Sequence, residues 1–114
     1  MPKDLVWDIE TYPNLLSICF YNPVKDSIRT FEMSSWKNDW IDFRKFVKNC
    51  SNGFIRWVGF NNYYFDYQVI HYLLNTFKAG NFTGEQIARA AHKKANDLIR
   101  SSKDERFTNR SEER

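Results

Sequence analysis

The chain has 114 residues, of which 42% are hydrophobic and 18% aromatic, and its formal net charge at pH 7 is +3. This length suits one domain with a modest core, and the high aromatic share predicts that Phe, Tyr and Trp build much of that core. The mild positive charge permits an anionic partner without requiring one. No apolar run in the sequence approaches the length of a membrane span, so no membrane partner is expected.

The first third of the chain has the pattern of three strands. A short apolar run, "LVWDI" (residues 5–9), is ended by the turn around Pro13. The next run, "LLSICFYNP" (15–23), is rich in residues that favour strands, and "SIRTFEM" (27–33) alternates with a period of two. Because only a few turn residues separate the second and third strands, we expect an antiparallel hairpin.

A helix is predicted after the third strand, because apolar residues recur at spacings of three and four within residues 34–50. Ser34, Ser35 or Asn38 is expected to cap its start, and Asn52-Gly53 to end it. The residues predicted to form its apolar face are Trp36, Trp40, Phe43, Phe46 and Val47.

The second half of the chain returns once to strand character and then becomes helical. A fourth strand is predicted at "FIRWVGF" (54–60), followed by a helix at "FDYQVIHYLLNTF" (65–77). The segment 79–81 breaks that helix. Thr83 and Gln86 are spaced as a capping box for a last helix.

The predicted order is therefore βββαβαα, and the fold class is α/β, with one domain over residues 1–100. From Ser101 the sequence "SSKDERFTNRSEER" loses its apolar period, so residues 101–114 are interpreted as a charged tail or a frayed helical extension. Cys19 and Cys50 match no metal-ligand spacing and are interpreted as free thiols, with a single disulfide left open. With no signal peptide in "MPKDLVWD", we expect an intracellular protein.

Carboxylates stand at the ends of two predicted strands. Asp8 and Glu10 lie two positions apart at the end of the first strand, and Asp66 lies in the first turn of the helix after the fourth. If these strands are parallel neighbours, their carboxyl ends meet at one edge of the sheet and the three carboxylates converge. Such close like charges are compensated by a hard divalent cation with oxygen ligands. A solvated turn, with Asp66 as a helix cap, is the alternative that needs no ligand.

Two stretches that contain these carboxylates, "DIET" and "GFNNYYFD", resemble the first two motifs of the DEDD-type 3′–5′ exonucleases of the ribonuclease-H-like fold. The resemblance is greatest to the proofreading domains of phage and family-B DNA polymerases. The first motif, D-x-E, matches Asp8 and Glu10. The second motif, G-[YF]-N-x-x-x-[FY]-D, matches Gly59, Phe60, Asn61, Phe65 and Asp66.

This resemblance implies an α/β, ribonuclease-H-like fold with a mixed sheet and hydrolysis of DNA from a single-stranded 3′ end. It implies two Mg²⁺ or Mn²⁺ ions, the usual apparatus for cleaving a phosphodiester. Asp8 would bridge both ions, Glu10 would hold the ion that carries the attacking water, and Asp66 would reach the second ion. The same resemblance implies the cytoplasm of a bacterium or of a phage-infected host cell.

Three further residues of the second motif would lie along the path of the 3′ end. Unpaired bases stack on aromatic rings without regard to sequence, which suits Phe60 and Phe65 beside Asn61. For the two phenylalanines, packing in the core is the preferred interpretation.

The third motif of the family, Y-x-x-x-D or H-x-x-x-x-D, supplies a fourth carboxylate from a late helix. Only His92 and Asp97, in "HKKAND", have this spacing, but no predicted strand separates them from Asp66. We therefore expect a partner, either a polymerase or a second exonuclease chain, to supply the fourth carboxylate. The alternative function is a catalytically incomplete domain that binds DNA or a polymerase without hydrolysis. A nuclease that acts on RNA is a weaker alternative.

The remaining ionisable residues of the helices have simpler interpretations. His71 follows Asp66 by five positions, which directs it to another side of the helix, so we expect a core or surface histidine. The last helix carries four basic residues that are interpreted as a solvated face, with attraction of a phosphate backbone as the alternative. These four are Arg89, Lys93, Lys94 and Arg100.

Overall fold

The computed structural model describes residues 4–59, 63–78 and 82–110. Over these ranges the chain forms four strands and three helices, and the predicted order βββαβαα and α/β class are confirmed. In chain order the elements are β1 (Asp4–Tyr12), β2 (Leu15–Asn22), β3 (Ser27–Ser34), α1 (Trp40–Asn52), β4 (Arg56–Gly59), α2 (Tyr63–Thr76) and α3 (Gly84–Arg110).

The four strands form one mixed sheet in the order β3-β2-β1-β4. β2 is antiparallel to both β1 and β3, which confirms the predicted hairpin. β4 pairs with β1 in parallel, with Val6 opposite Val58 and Trp7 opposite Gly59. β1 is therefore a central strand, and the carboxyl end of β4 lies beside its middle, at Trp7.

One face of the sheet is covered by the helices, because apolar residues of all three helices join a single core with it. The period of two places alternate strand residues on that face. These buried strand residues are Leu5, Trp7, Ile9, Leu16, Ile18, Phe20, Phe31 and Met33. Asp8 and Glu10 alternate with them and therefore lie on the opposite face.

Aromatic rings make up the centre of this core, as the composition predicts. The ring of Phe20 lies 4.6 Å from that of Phe46 and 4.8 Å from that of Trp57, measured between centroids. The indole Nε1 of Trp40 donates a hydrogen bond of 2.9 Å to the Phe77 carbonyl, so this buried polar group is satisfied. Each aromatic pair adds about 0.5–1.5 kcal/mol beyond the burial of its area.

α1 begins later than its apolar period predicts. The residue at its N-cap position is Asp39, whose carboxylate accepts the backbone N–H of Glu32 on β3 at 3.0 Å instead of an N–H in the helix. Asn38, one of the expected caps, accepts the N–H of Trp40 at 3.1 Å. The hydrogen bond from the Glu32 N–H to Asp39 thus holds this segment against β3, and α1 begins only at Trp40.

The other expected features at the start of α1 are wrong for the same reason. Ser34 is the last residue of β3, and Ser35 and Trp36 lie in the connection, so neither serine caps the helix. Trp36 is 67% exposed and does not belong to the apolar face. The apolar spacing that predicts the helix includes a segment that instead follows the edge of the sheet, where Asn38 forms a bridge with Met33.

Other predicted boundaries agree with the structure. Gly53 follows the last residue of α1. The capping box is present, because the Thr83 N–H donates to Gln86 Oε1 at 2.9 Å and the Gln86 N–H donates to Thr83 Oγ1 at 3.1 Å. The predicted helix break at 79–81 lies outside the described residues. α3 continues to Arg110, so residues 101–110 form a helical extension.

Both cysteines are free thiols, as expected, and burial raises the pKa of Cys50. Across the described ranges, no helix has the length and apolar character needed to cross a membrane.

The first residue of α3 is packed directly against the backbone that follows β3. A Cβ on Gly84 would collide with the carbonyl oxygen of Lys37 and lie 2.5 Å from that of Ser34. Only glycine allows this approach, so Gly84 fixes where α3 starts against the sheet.

We predict that Gly84→Ala lowers the free energy of unfolding by about 2–3 kcal/mol, because the helix start must move away from β3 to admit a methyl group. Gly53→Ala is the matched control: its Cβ would lie 3.2 Å from the Asn49 carbonyl, at a φ of −92° that any residue adopts. Its effect should stay within about 0.5 kcal/mol. Urea unfolding followed by circular dichroism measures both, and equal losses would contradict the close approach at Gly84.

Candidate metal centre

The candidate site lies where β4 ends beside the middle of β1. The last described pair between these strands is Trp7 with Gly59. Two residues further along β1, the backbone N–H of Ile9 is close enough to the carboxyl group of Asp66, in the first turn of α2, to act on its pKa. α2 therefore places Asp66 against β1, as the parallel arrangement predicts.

The carboxyl group of Asp66 lies near that of Asp8, whose charge is one of the causes that raise the Asp66 pKa. The Asp66 side chain is only 5% exposed. Burial, and then the charge of Asp8 and the hydrogen bond with it, raise the pKa of Asp66 to about 6, against the opposing effect of the Ile9 N–H. Asp66 therefore keeps its proton at mildly acidic pH, and loss of this proton places a negative charge in a buried position near Asp8.

The Asp66 carboxyl group also has an unsatisfied oxygen. Its Oδ2 is buried and finds no hydrogen-bond donor within the ranges that the structure describes. A buried oxygen of this kind is costly unless a donor or a cation lies beside it. Within the described ranges this oxygen is therefore available to a ligand.

Glu10 lies near this pair but is not part of it. It is on the same face of β1 as Asp8, about 7 Å further along the strand. Its side chain is exposed and accepts a hydrogen bond of 3.3 Å from the Tyr12 hydroxyl. In the described part of the chain no three His, Cys, Asp or Glu side chains are close enough to hold a metal ion together. The structure therefore brings together two of the three carboxylates expected to converge.

The donor set suits a hard divalent cation. Mg²⁺ is usually held by one or two protein carboxylates, and takes its other ligands from water and substrate phosphates. Asp8 and Asp66 supply two carboxylates, and the unsatisfied oxygen of Asp66 is a ready ligand. Glu10 is placed to contribute a third carboxylate after a change of its side-chain conformation.

The structure does not bring the candidate third motif to this pair. His92 and Asp97 both lie on α3, about 140° apart around the helix axis. His92 is partly buried, with Nε2 3.2 Å from the Asn96 amide nitrogen and with an Nδ1 that is buried without a partner among the described residues. Asp97 is exposed, because Ala95 and the other small residues of α3 face the core. His92 and Asp97 have the spacing of the third motif in sequence, but they do not join the carboxyl pair in the structure.

The other predicted site residues divide into two groups. Phe60 and Asn61 lie outside the described residues, as does the side chain of Phe65, so their place along the path of a 3′ end stays a prediction. His71 is exposed, stacks on Tyr67 with 5.9 Å between ring centroids, and lies 3.3 Å from the Asn75 amide, which agrees with a surface histidine.

Sequence reasoning missed the hydroxyl group beside Glu10. Tyr12 was interpreted only as part of the turn after the first strand, yet it donates to the Glu10 carboxylate. The only available signal was the period of two, which places Tyr12 on the same face of β1 as Asp8 and Glu10.

We predict that Asp66 makes the folded chain less stable as pH rises, in buffer with EDTA. Its pKa is about 6 in the folded chain against an ordinary value of 3.8, so the folded state binds the proton more tightly. Stability is then highest below pH 4 for this group and falls between about pH 4 and 6, by roughly 1–3 kcal/mol. Asp66→Asn should remove this loss and be more stable than the wild type at pH 7.5.

The measurement is urea unfolding at several pH values for the wild type, Asp66→Asn and the control Asp97→Asn. Asp97 is exposed on α3, so the control should keep the pH dependence of the wild type. A wild-type pH dependence in Asp66→Asn would show that this carboxyl group is not the titrating one.

Comparison with known proteins adds no relative: no family model, no curated protein and no solved structure matches the chain. The functional assignment therefore depends on the two sequence motifs and on the geometry of the carboxyl pair.

Proposed function

We propose that this chain is a metal-dependent 3′–5′ exonuclease domain of the DEDD type that acts on DNA ends. The observation that carries the proposal is the pair of the half-buried Asp8 and the buried Asp66, at the point where β4 ends beside β1. Both residues belong to the stretches that resemble the first two motifs of that family, "DIET" and "GFNNYYFD". Such an enzyme acts where DNA is replicated, in the cytoplasm of a bacterium or of a phage-infected host cell.

The topology supports a ribonuclease-H-like fold as part of this proposal. Three antiparallel strands are followed by a helix and by a strand parallel to β1, in the spatial order β3-β2-β1-β4. Ligand sites of α/β sheets gather at the carboxyl ends of parallel strands, and the carboxyl pair lies at such an edge.

The roles of the residues follow from their surroundings. Asp8 and Asp66 would hold Mg²⁺ or Mn²⁺, and Glu10 would complete the set. Two such ions, when bound, supply an activated water and stabilise charge at the scissile phosphate. The nearby N–H of Ile9 favours the ionised form of Asp66, which is the form that binds a cation.

The second candidate function is a domain that binds DNA or a polymerase without hydrolysis. Asp97 is exposed, and over the described ranges no third His, Cys, Asp or Glu joins Asp8 and Asp66. For an exonuclease that needs completion, a polymerase or a second exonuclease chain supplies the fourth carboxylate; under the alternative, DNA or a polymerase is bound and no carboxylate is supplied.

We predict that the chain shortens a 5′-labelled single-stranded DNA oligonucleotide from its 3′ end in the presence of Mg²⁺ or Mn²⁺. Asp8→Asn should slow this by about 100-fold or more, because several kcal/mol of transition-state stabilisation depend on the bound ions. Asp42→Asn is the matched control, since Asp42 is exposed on α1. It should degrade the oligonucleotide at the wild-type rate.

The outcomes separate the two candidate functions. A ladder that starts at the 3′ end, is blocked by a modified 3′ terminus and is lost in Asp8→Asn supports the exonuclease. Equal rates for Asp8→Asn and the wild type would contradict it. An intact oligonucleotide, together with a rise in Tm on adding Mn²⁺ that Asp66→Asn abolishes, would instead support the domain that binds without hydrolysis.

A further inference from the structure

A second feature lies at the same end of the sheet. An open cleft of about 640 Å³ separates the turn between β1 and β2 from one side of α3, and is called the α3 cleft below. Pro13 and Asn14 form the wall on the turn. The wall on the helix includes Arg89, His92, Lys93 and Arg100.

The basic residues of the α3 cleft lie along one stripe of the helix. Positions 89, 93 and 100 are separated by four and seven residues, which returns them to the same side of α3. The stripe is about 16 Å long, since an α-helix rises 1.5 Å per residue. Within the described chain, no acidic side chain lines the cleft, so its charge is of one sign.

The basic side chains of α3 differ in the groups that surround their positive charges. Arg89 is paired with Glu85 one turn earlier on the helix. Lys94 does not line the cleft, and its ammonium group lies over the ring of Tyr72, 5.1 Å from the centroid. Lys93 and Arg100 are exposed, and neither forms an ion pair with the side chains that the structure describes, which on α3 extend to residue 100. The cleft therefore presents two cations that no described acidic side chain compensates.

The cleft is also close to the carboxyl pair along the chain. Pro13 follows Asp8 by five residues, which spans at most about 18 Å. A strand of nucleic acid of a few nucleotides that lies in the cleft can thus reach the part of β1 where Asp8 and Asp66 meet.

We propose that the α3 cleft binds the phosphodiester backbone of a single polynucleotide strand and leads its end toward Asp8 and Asp66. The second half of this statement rests on the proposed function. Contacts from Lys and Arg to phosphates are independent of base sequence and suit an enzyme that removes any terminal nucleotide. Lys93 and Arg100 thereby acquire a ligand-binding role, whereas Lys94 stays a helix-surface residue.

The test is fluorescence anisotropy with a labelled single strand of about 12 nucleotides, in DNA and RNA forms, in EDTA at about 50 to 200 mM salt. The double variant Lys93→Gln/Arg100→Gln should bind about tenfold or more weakly at the lowest salt. Its slope of log K against log salt should be smaller by about 1.4, the value for two lost phosphate contacts to a single strand.

The matched control is Lys45→Gln/Lys48→Gln, which removes two exposed charges from α1 and leaves the same net charge. Its affinity should stay within about twofold of the wild type, with the wild-type salt slope. Equal losses in the two double variants would overturn the proposal, because net charge alone would then explain binding. A wild-type chain that binds neither strand at about 50 mM salt would also overturn it.

A variant that adds a charge keeps the proposal testable if the double variant unfolds. Asn14 lies on the wall opposite α3, and its backbone is not in the left-handed region. Asn14→Lys should tighten binding and steepen the salt slope by about 0.7. An unchanged affinity and slope in the folded variant would contradict a strand in the cleft.

The binding experiment shows whether the cleft accepts DNA, RNA or both, and its result is independent of the nuclease assay. Equal binding of DNA and RNA supports recognition of the shared phosphodiester backbone, and a preference for either one identifies the strand that the cleft accepts. Since EDTA removes divalent metal, binding that depends on Lys93 and Arg100 stands even when the nuclease assay is negative. Conversely, an active nuclease whose binding is unchanged by the double variant would overturn the cleft alone.

Discussion

The parallel pairing of β1 with β4 is the constraint on which the rest of this structure depends. It spans only four residue pairs, Asp4–Arg56 to Trp7–Gly59, and joins segments about fifty residues apart. The ion pair of Asp4 and Arg56, with contacts of 2.9 and 3.0 Å, lies at its start, and Trp57 packs on Trp7 at 5.2 Å between centroids. A slip of one residue would turn Trp57 out of the core and move α2 with it, so packing fixes the register and thereby the position of Asp66.

The same end of the sheet carries charges of opposite sign in different surroundings. In the carboxyl pair Asp66 is buried and Asp8 half-buried, and their negative charges repel a phosphate, whereas Lys93 and Arg100 are exposed and attract one. A divalent cation at Asp8 and Asp66 would reverse the local charge and remove this conflict. Under the proposed function, strand binding in the α3 cleft and metal binding at the carboxyl pair thus become mutually favourable.

The orientation of α3 explains why Asp97 does not reach the carboxyl pair. Gly84 fixes the start of the helix against the end of β3, and Ala88, Ala91 and Ala95 let it lie close to the sheet. With that face buried, Asp97 is exposed on another side of the helix. Bringing Asp97 to the carboxyl pair would require α3 to rotate and expose its alanine face, so under the proposed function the fourth carboxylate comes from another segment or chain.

The sequence by itself determined the element order, the hairpin, the ends of α1 and α3 marked by Gly53 and the Thr83–Gln86 box, and the pairing of carboxylates on β1 and α2. These follow from local periodicity and capping chemistry, which depend on residues only a few positions apart. It placed the start of α1 too early, since the competing bond from Asp39 to Glu32 joins residues on two different elements.

Only the tertiary structure decided the burial of Asp66 and its raised pKa, the separation of Glu10 from the carboxyl pair, and the exposure of Asp97. It also divided the basic residues of α3 between the cleft and the helix surface. The physical reason is that burial, pKa and charge compensation depend on neighbours contributed by distant segments, and the spacing of residues along one helix contains no information about them.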